Sequence, residues 1–235
     1  MKRLRDIKQQ WFKPSCVLCE AVSDNLLSLC TPCQQDLPWL LHCCKRCALP
    51  LENQHTDECL QCKINPPVFD AAICALHYAT PVDYLVKRLK FGHQLSYAKV
   101  LGVLLAQHIA QLGTAEVDAI LPVPLHKARL RKRGFNQALE LAHELKALGN
   151  IPLLKSVLRV KHTMAQTLVK GEARASNLNG AFAIKSQITT LPRHVAIVDD
   201  VVTTGSTTNE LARLLKEAGV AKVSVWAVAR ATPQT

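Results

Sequence analysis

The stretch from Val195 to Thr207 constrains the fold of this chain more than any other. An uninterrupted apolar run, Val195 to Val198, ends in two acids, Asp199 and Asp200, and a loop of small hydroxyl residues follows. A strand that is apolar on both faces is typical of a parallel sheet covered by helices on each side. The pattern therefore predicts an α/β fold in which this strand is central.

The loop after the two acids is suited to binding a phosphate, and its residues are Thr203, Thr204, Gly205, Ser206 and Thr207. Backbone N–H groups and the positive end of a helix dipole favour an anion there. Ligands of open α/β sheets bind beyond the carboxyl ends of the strands. Acids at that position suit sugar hydroxyls, so the segment predicts a site for a phosphorylated ribose. No Lys follows the glycine, which argues against a nucleoside-triphosphate P-loop.

This segment resembles the phosphoribosyl pyrophosphate (PRPP) motif of the type I phosphoribosyltransferases. That motif has several apolar residues, two acids, two more apolar residues and then Thr-Thr-Gly-Ser/Ala-Thr, and every position fits here. The resemblance implies that Asp199 and Asp200 are the catalytic acids and bind the ribose hydroxyls. It also implies that residues 203–207 wrap the 5-phosphate and that Mg²⁺ accompanies PRPP.

The N-terminal part of the chain carries four Cys-x-x-Cys pairs, which are Cys16/Cys19, Cys30/Cys33, Cys44/Cys47 and Cys59/Cys62. Each such pair can place two thiolates on one side of a tetrahedral Zn²⁺, so four pairs predict two closed structural sites with four cysteine ligands each. Disulfides are the competing interpretation, but nothing in the sequence points to export. Sequential pairing of the knuckles and a cross-braced pairing both fit, and sequential pairing is the expectation.

The chain has a formal net charge of +11, which favours anionic partners. Eight zinc-bound thiolates and two Zn²⁺ would lower that figure by four, to +7, which is still basic. The basic first residues are not followed by the apolar region of a signal peptide, and no apolar run approaches the roughly 18 residues that span a bilayer. We therefore expect a cytoplasmic protein without membrane insertion.

A proline pair at residues 66 and 67 marks a domain boundary. It predicts a double zinc-ribbon domain over residues 1–66 and a second domain over residues 67–235. In the second domain, predicted strands at 68–78, 117–121, 195–198 and 223–229 alternate with predicted helices at 81–90, 96–112, 135–148 and 207–218. Such alternation is typical of a parallel sheet with helices on both faces.

A second resemblance covers nearly the whole chain. It rests on Pro-Val-Pro-Leu-His at 122–126 and Arg-Lys-Arg-Gly-Phe-Asn-Gln at 131–137, with Gln166, Arg174 and the run 177–182 further on. With the cysteine pairs and the PRPP motif, these residues are similar to the ComF/GntX family of phosphoribosyltransferase-like proteins. The family is linked to natural competence and to the use of DNA as a nutrient. The resemblance implies a type I phosphoribosyltransferase-like domain after a small zinc-ribbon domain with four-cysteine sites.

A dense basic segment, predicted as a loop, follows the strand at 117–121. Arg129, Arg131 and Arg133 are candidates for contacting pyrophosphate or DNA, with His126 as a weaker one, since Arg suits bidentate phosphate contact. A solvated charge run is the alternative. The irregular segment that contains His162, Gln166, Lys170 and Arg174 falls where these enzymes carry a lid, and an ordinary surface hairpin is equally compatible with it.

Two functions are compatible with these features. The first is an enzyme that binds Mg²⁺-PRPP and transfers the phosphoribosyl group to a nitrogen acceptor. The second is a non-catalytic, PRPP-responsive factor in DNA uptake that binds single-stranded DNA or other DNA-uptake proteins. Aromatic residues make up only 5% of the chain, which argues against an extensive base-stacking platform. The sequence contains no recognisable nucleobase pocket, so the acceptor is left open.

Overall fold

The computed structural model describes residues 13–53, 55–92, 94–113, 116–161, 180–185 and 191–232. The cysteine-rich part contains two short helices, α1 (Thr31–Gln35) and α2 (Leu60–Ile64). The second part begins with β1 (Ala71–His77), α3 (Val82–Phe91), α4 (Leu95–Gln111) and β2 (Ala119–Pro122). Then come α5 (Lys127–Arg133) and α6 (Gln137–Glu144), the latter extended by a 3-10 turn at Leu145–Leu148. The remaining elements are β3 (Val157–Arg159), β4 (Phe182–Ile184), β5 (His194–Val202), α7 (Ser206–Glu217) and β6 (Lys222–Arg230).

Four strands form a parallel sheet in the order β1-β6-β5-β2, while β3 and β4 form a separate antiparallel pair. One face of the sheet packs against α3, α4 and α6 in a core that includes Ala196 and Val198 of β5. The other face packs against α7 in a core that includes Val195 and Ile197. The predicted α/β class, with helices on both faces, is thereby confirmed. The apolar run reads as continuous because β5 is covered on both sides.

The basic segment after β2 is a helix and not the predicted loop. His126 caps its start, because the imidazole Nδ1 accepts a hydrogen bond from the N–H of Ala128 at 3.2 Å. Gly134 ends it in the left-handed conformation (φ +79°), and its N–H donates to the carbonyl of Leu130 at 2.8 Å. A cap, a run of good helix formers and a left-handed glycine together make a complete helix signal.

The cysteine-rich part lies along the free edge of β1. The N–H of Leu40 donates to the carbonyl of Ala75 at 2.9 Å, and the N–H of His77 donates to the carbonyl of Pro38 at 2.8 Å. The core on the α4 face also includes apolar residues from this part of the chain, among them Leu29 and Leu37. The two parts therefore share backbone hydrogen bonds and one hydrophobic core.

Among the described residues, no helix combines the length and the apolar character that crossing a bilayer requires.

Candidate functional site

The eight predicted zinc ligands form two separate clusters. Cys16, Cys19, Cys30 and Cys33 make the first site, and Cys44, Cys47, Cys59 and Cys62 make the second, with the sulfur atoms of each site within 4.8 Å of one another. The sequential pairing expected from the sequence is confirmed, and the cross-braced alternative is not what the fold forms. The two sites repeat one local geometry: Glu20 and Ala48, each directly after a knuckle, both have positive φ.

The sulfur positions fit zinc. The Sγ atoms of Cys19 and Cys30 are 3.7 Å apart, and so are those of Cys47 and Cys59. A tetrahedral Zn²⁺ with Zn–S bonds of about 2.3 Å holds its sulfurs about 3.8 Å apart, whereas a disulfide would require about 2 Å. The protein thus has two structural zinc-binding sites, each with four cysteine ligands.

The two acids at the end of β5 are not equivalent. The Nζ of Lys90, on α3, lies 2.5 Å from Oδ2 of Asp200, whose side chain is almost fully buried. Burial alone would raise the pKa of Asp200, but the Lys90 ammonium and the hydrogen bond with Asp199 hold that pKa below its usual range. Burial and then the charge of Asp200 raise the pKa of Asp199 well above its usual range. The pair therefore favours one ionised and one protonated carboxyl group.

The predicted phosphate loop connects β5 to α7. Gly205 adopts the left-handed conformation (φ +76°) directly before the helix, which a residue with a Cβ rarely adopts. The hydroxyls of Thr204 and Ser206 lie 2.7 Å apart, and the Thr208 hydroxyl donates to the carbonyl of Gly205 at 2.9 Å. The loop thereby presents hydroxyls at the N-terminus of a 12-residue helix, where an anion is favoured.

Three guanidinium groups line the same cavity as Thr203 and Thr207 of this loop. Arg129 and Arg133 lie four residues apart on α5, and Arg159 ends β3. Burial lowers the pKa of all three, that of Arg159 to about 10, and the neighbouring Arg133 and Arg129 charges lower the pKa of Arg129 and Arg159 further. Partly buried like charges repel one another, and an anion bound between them would lower that cost.

These groups line one open cavity of about 260 Å³. Its wall includes Asp199, Asp200, Thr203, Thr207 and the three arginines, together with Lys90, Tyr78 and Phe91. Arg133 lies over Phe91, with Cζ 5.7 Å from the ring centroid, and its Nη1 donates to Gln137 at 2.6 Å. The cavity can therefore hold a ligand with a sugar diol and two separate anionic groups.

The structure brings some of the predicted residues together and separates others. Arg131 is exposed on the face of α5 away from Arg129 and Arg133, and it does not line the cavity. His126 serves as a helix cap, and it does not line the cavity either. The predicted lid residues His162, Gln166, Lys170 and Arg174 lie outside the described residues.

Sequence reasoning missed several residues of the cavity, namely Lys90, Arg159, Tyr78 and Phe91. Lys90 is visible in the sequence only as a cation off the apolar stripe of a helix, and its pairing with Asp200 joins residues 110 positions apart. Arg159 lies in a segment without clear periodicity. The available signal was the pair Arg129 and Arg133, whose spacing of four places them on one face once α5 is recognised as a helix.

This fold and site define an α/β protein with a parallel sheet, helices on both of its faces and two four-cysteine zinc sites. Residues 9–63 match the family model of the double zinc ribbon domain. The chain is 36% identical to competence protein F of Haemophilus influenzae, over 94% of this chain and 99% of that protein. It is 33% identical to DNA utilization protein YhgH of Escherichia coli K12, over 86% of this chain and 90% of that protein. The chain belongs to the ComF family.

A more distant relative is competence protein ComFC of Streptococcus pneumoniae, which is 27% identical over 80% of each chain. Two solved structures are also similar, each at 20% identity. The allosteric regulatory enzyme of purine biosynthesis has a TM-score of 0.38 over 61% of this chain and 30% of that chain. The purine phosphoribosyltransferase from Pyrococcus horikoshii has a TM-score of 0.30 over 68% of this chain and 86% of that chain.

Proposed function

We propose that this protein binds Mg²⁺-PRPP in the cavity at the end of β5 and transfers its phosphoribosyl group to a nitrogen acceptor during DNA uptake or DNA utilisation. One observation carries the proposal: the acid pair, Thr203 and Thr207 of the loop after β5, and three arginines line one cavity of about 260 Å³. The chemistry of these groups suits the three polar parts of PRPP, which are the ribose hydroxyls, the 5-phosphate and the pyrophosphate. The names of the relatives, which are competence and DNA utilisation proteins, supply the biological setting.

Each group has a role in this proposal. Asp199 and Asp200 bind the 2- and 3-hydroxyls of the ribose, and residues 203–207 bind the 5-phosphate. Arg129 and Arg133 bind the pyrophosphate, together with Arg159. When bound, Mg²⁺ would neutralise part of the pyrophosphate charge, and carboxylate oxygens such as those of the acid pair are the ligands it prefers.

The proposed transfer breaks the bond between the anomeric carbon and the pyrophosphate oxygen. Both electrons of that bond leave with pyrophosphate, and the acceptor nitrogen forms the new bond to the carbon and releases its proton. Negative charge therefore grows on the leaving group in the transition state, and the preorganised arginines stabilise it there. Lys90 keeps Asp200 ionised, so that it can accept a hydrogen bond from a ribose hydroxyl.

Calorimetric titration of the zinc-loaded protein with Mg²⁺-PRPP tests the binding step. We expect saturable binding by the wild type and none by the double variant Asp199→Asn with Asp200→Asn, whose fold is checked by circular dichroism. If the double variant bound Mg²⁺-PRPP as tightly as the wild type, the acid pair would not be part of the binding site. Release of pyrophosphate with a panel of nucleobases would then identify the acceptor.

A second candidate function is single-stranded DNA binding, and one surface favours it. Tyr84, Arg88 and Phe91 lie at positions i, i+4 and i+7 of α3, and the tyrosine and phenylalanine are 44% and 72% exposed. Cζ of Arg88 lies 6.0 Å from the ring centroid of Tyr84. Exposed aromatic rings beside cations suit unpaired bases and their phosphates, and this stripe ends at the cavity.

The stripe can be tested separately from the cavity. Replacing Tyr84, which does not line the cavity, by leucine should weaken binding of an oligothymidine probe by roughly 1–3 kcal/mol, because one base loses its stacking partner. Leu112→Ala, an exposed apolar change at the end of α4, serves as the control. Fluorescence anisotropy at several salt concentrations gives the affinities. If both variants bind the oligonucleotide equally, the stripe is not the DNA-binding surface.

A further inference from the structure

Arg230 forms hydrogen bonds with two separate parts of the molecule, the zinc-ribbon part and the start of the phosphate loop. It ends β6, and it is only 5% exposed. Its Nε donates a hydrogen bond to the carbonyl of Cys47 at 2.9 Å. Its Nη1 donates to the carbonyl of Val202 at 3.0 Å and also to the carbonyl of Thr203. One guanidinium group therefore contacts both the zinc-ribbon part of the chain and the start of the phosphate loop.

These partners belong to functional elements. Cys47 is a ligand of the second zinc site. Zinc binding therefore also fixes the position of the Cys47 backbone carbonyl. Val202 and Thr203 are the residues at which β5 ends and the phosphate loop begins. A guanidinium group is planar and rigid, so its Nε and Nη1 contacts are fixed relative to each other. A displacement of the Cys47 carbonyl would therefore be transmitted to the loop carbonyls.

The carbonyls that Arg230 anchors fix the direction of the N–H groups of the loop. A trans peptide unit is planar, and its C=O and N–H point in opposite directions. Anchoring the Val202 and Thr203 carbonyls therefore fixes the N–H vectors of Thr203 and Thr204, which belong to the same peptide units. Backbone N–H groups are the donors that such a loop offers to a phosphate.

We propose that Arg230 is a positioning residue through which the second zinc site holds the phosphate loop in its binding conformation. The proposal rests on the function proposed above, because it concerns the 5-phosphate end of that ligand. Loss of the second zinc site then weakens binding of the 5-phosphate even though no zinc ligand touches it. Arg129 and Arg133, at the pyrophosphate end, are not part of this connection.

The first zinc site provides an internal control. Its ligands Cys16 and Cys30 lie in the core on the α4 face of the sheet. Arg230 instead contacts Cys47 of the second site. The two sites have the same ligands and the same local geometry, so loss of zinc from either changes the charge of the protein equally. Only loss of zinc from the second site should change the conformation of the phosphate loop.

The first experiment compares Arg230→Lys with Lys222→Gln, an exposed change at the opposite end of the same strand. Lysine keeps the positive charge but lacks the fork that bridges Cys47 and the loop. We expect its affinity for ribose 5-phosphate to fall about tenfold, with its affinity for inorganic pyrophosphate unchanged within twofold. Hydrogen exchange of the Thr203 and Thr204 amides in the ligand-free protein should accelerate. Lys222→Gln should match the wild type in all three measurements.

The second experiment compares Cys59→Ser with Cys19→Ser, each verified to retain one zinc per chain by atomic absorption. We expect Cys59→Ser to accelerate hydrogen exchange of the loop amides and to lower the affinity for ribose 5-phosphate selectively. Cys19→Ser should change neither measurement. If Arg230→Lys fails to fold, this cysteine pair decides the question. The proposal would be overturned if the two cysteine variants had equal effects. It would also be overturned if the affinities for ribose 5-phosphate and for pyrophosphate fell together.

The two proposals fail in different ways. If the wild type binds neither PRPP nor ribose 5-phosphate, the proposed function fails, and the exchange of the loop amides still decides whether Arg230 couples the zinc site to the loop. If the wild type binds PRPP and the loop amides exchange alike in all variants, the function stands and the role of Arg230 is refuted.

Discussion

Asp199 and Asp200 are adjacent in the sequence and yet have opposite electrostatic environments. Asp200 has the Lys90 ammonium as its partner, whereas Asp199 is desolvated beside the charge of Asp200. An acid whose pKa is raised by folding destabilises the folded state at pH values where the acid is ionised in the unfolded chain. An acid whose pKa is lowered by folding stabilises the folded state at such pH values. Such opposed pKa values in one carboxyl pair are common at functional sites.

Replacing each acid by asparagine should therefore change stability in opposite directions. The folded pKa of Asp199 lies above its unfolded value, so its penalty appears as pH rises through the range between them. At pH 7 we expect Asp199→Asn to stabilise the protein by about 1 kcal/mol, with the gain disappearing below about pH 4. Thermal unfolding at a series of pH values measures this. A gain that persists at pH 3 would contradict the assignment.

The companion variant Asp200→Asn should destabilise the protein. The folded pKa of Asp200 is lowered, so its contribution is present above the unfolded pKa and is lost as pH falls through the folded value. Removing its charge leaves the Lys90 ammonium, which is mostly covered, without its carboxylate. We expect a loss of about 1–3 kcal/mol at pH 7. Equal melting temperatures for the two asparagine variants would show that the acids are equivalent.

At the scale of elements, α5 determines which basic residues face the cavity. Its helical spacing places Arg129 and Arg133 on one side, while Arg131 and Lys132 are exposed. We expect Arg129→Gln with Arg133→Gln to lower pyrophosphate affinity roughly 100-fold, as two charge-assisted contacts are lost. Arg131→Gln with Lys132→Gln removes the same charge and should change affinity less than about threefold. Calorimetry with inorganic pyrophosphate makes the comparison; similar losses would mean that only net charge matters.

Much of the element order could be predicted because each element carries its own signal. The apolar run at 195–198 and the apolar stripe at Val82, Leu85, Val86 and Leu89 correspond to β5 and α3. The helix at 127–133 was missed because its side chains are mostly basic and show no apolar stripe. Its signals were the capping His126, the left-handed Gly134 and the run of good helix formers between them.

The candidate site was predictable only where its residues are neighbours in the sequence. The acid pair and the phosphate loop lie within nine positions, so one motif contains them. Lys90, Arg159 and Arg230 reach the site through helix packing, the β3–β4 pair and the last strand, and nothing local marks them. The second zinc site was likewise predicted as a structural feature, whereas its contact with the loop depends on tertiary structure.

At the scale of the whole molecule, the zinc ribbons and the sheet depend on each other. The amides of Ala72 and His77 in β1 donate to the carbonyls of Lys45 and Pro38. Removing zinc with a chelator should therefore accelerate hydrogen exchange of these two amides. The free energy of local opening that protects each amide should fall by about 1 kcal/mol. Amides of β5, which lies inside the sheet, serve as the reference. Unchanged exchange in β1 would show that the edge contacts do not need zinc.

The segment that covers β1 also has a consequence for the behaviour of the protein in the cell. An uncovered sheet edge presents unpaired N–H and C=O groups to other chains and is a template for aggregation. The ribbon part of the chain blocks this edge through Pro38, Leu40 and Lys45. Zinc supply during synthesis would then govern how much of the protein remains dispersed, and metal-starved cells would accumulate it in insoluble form.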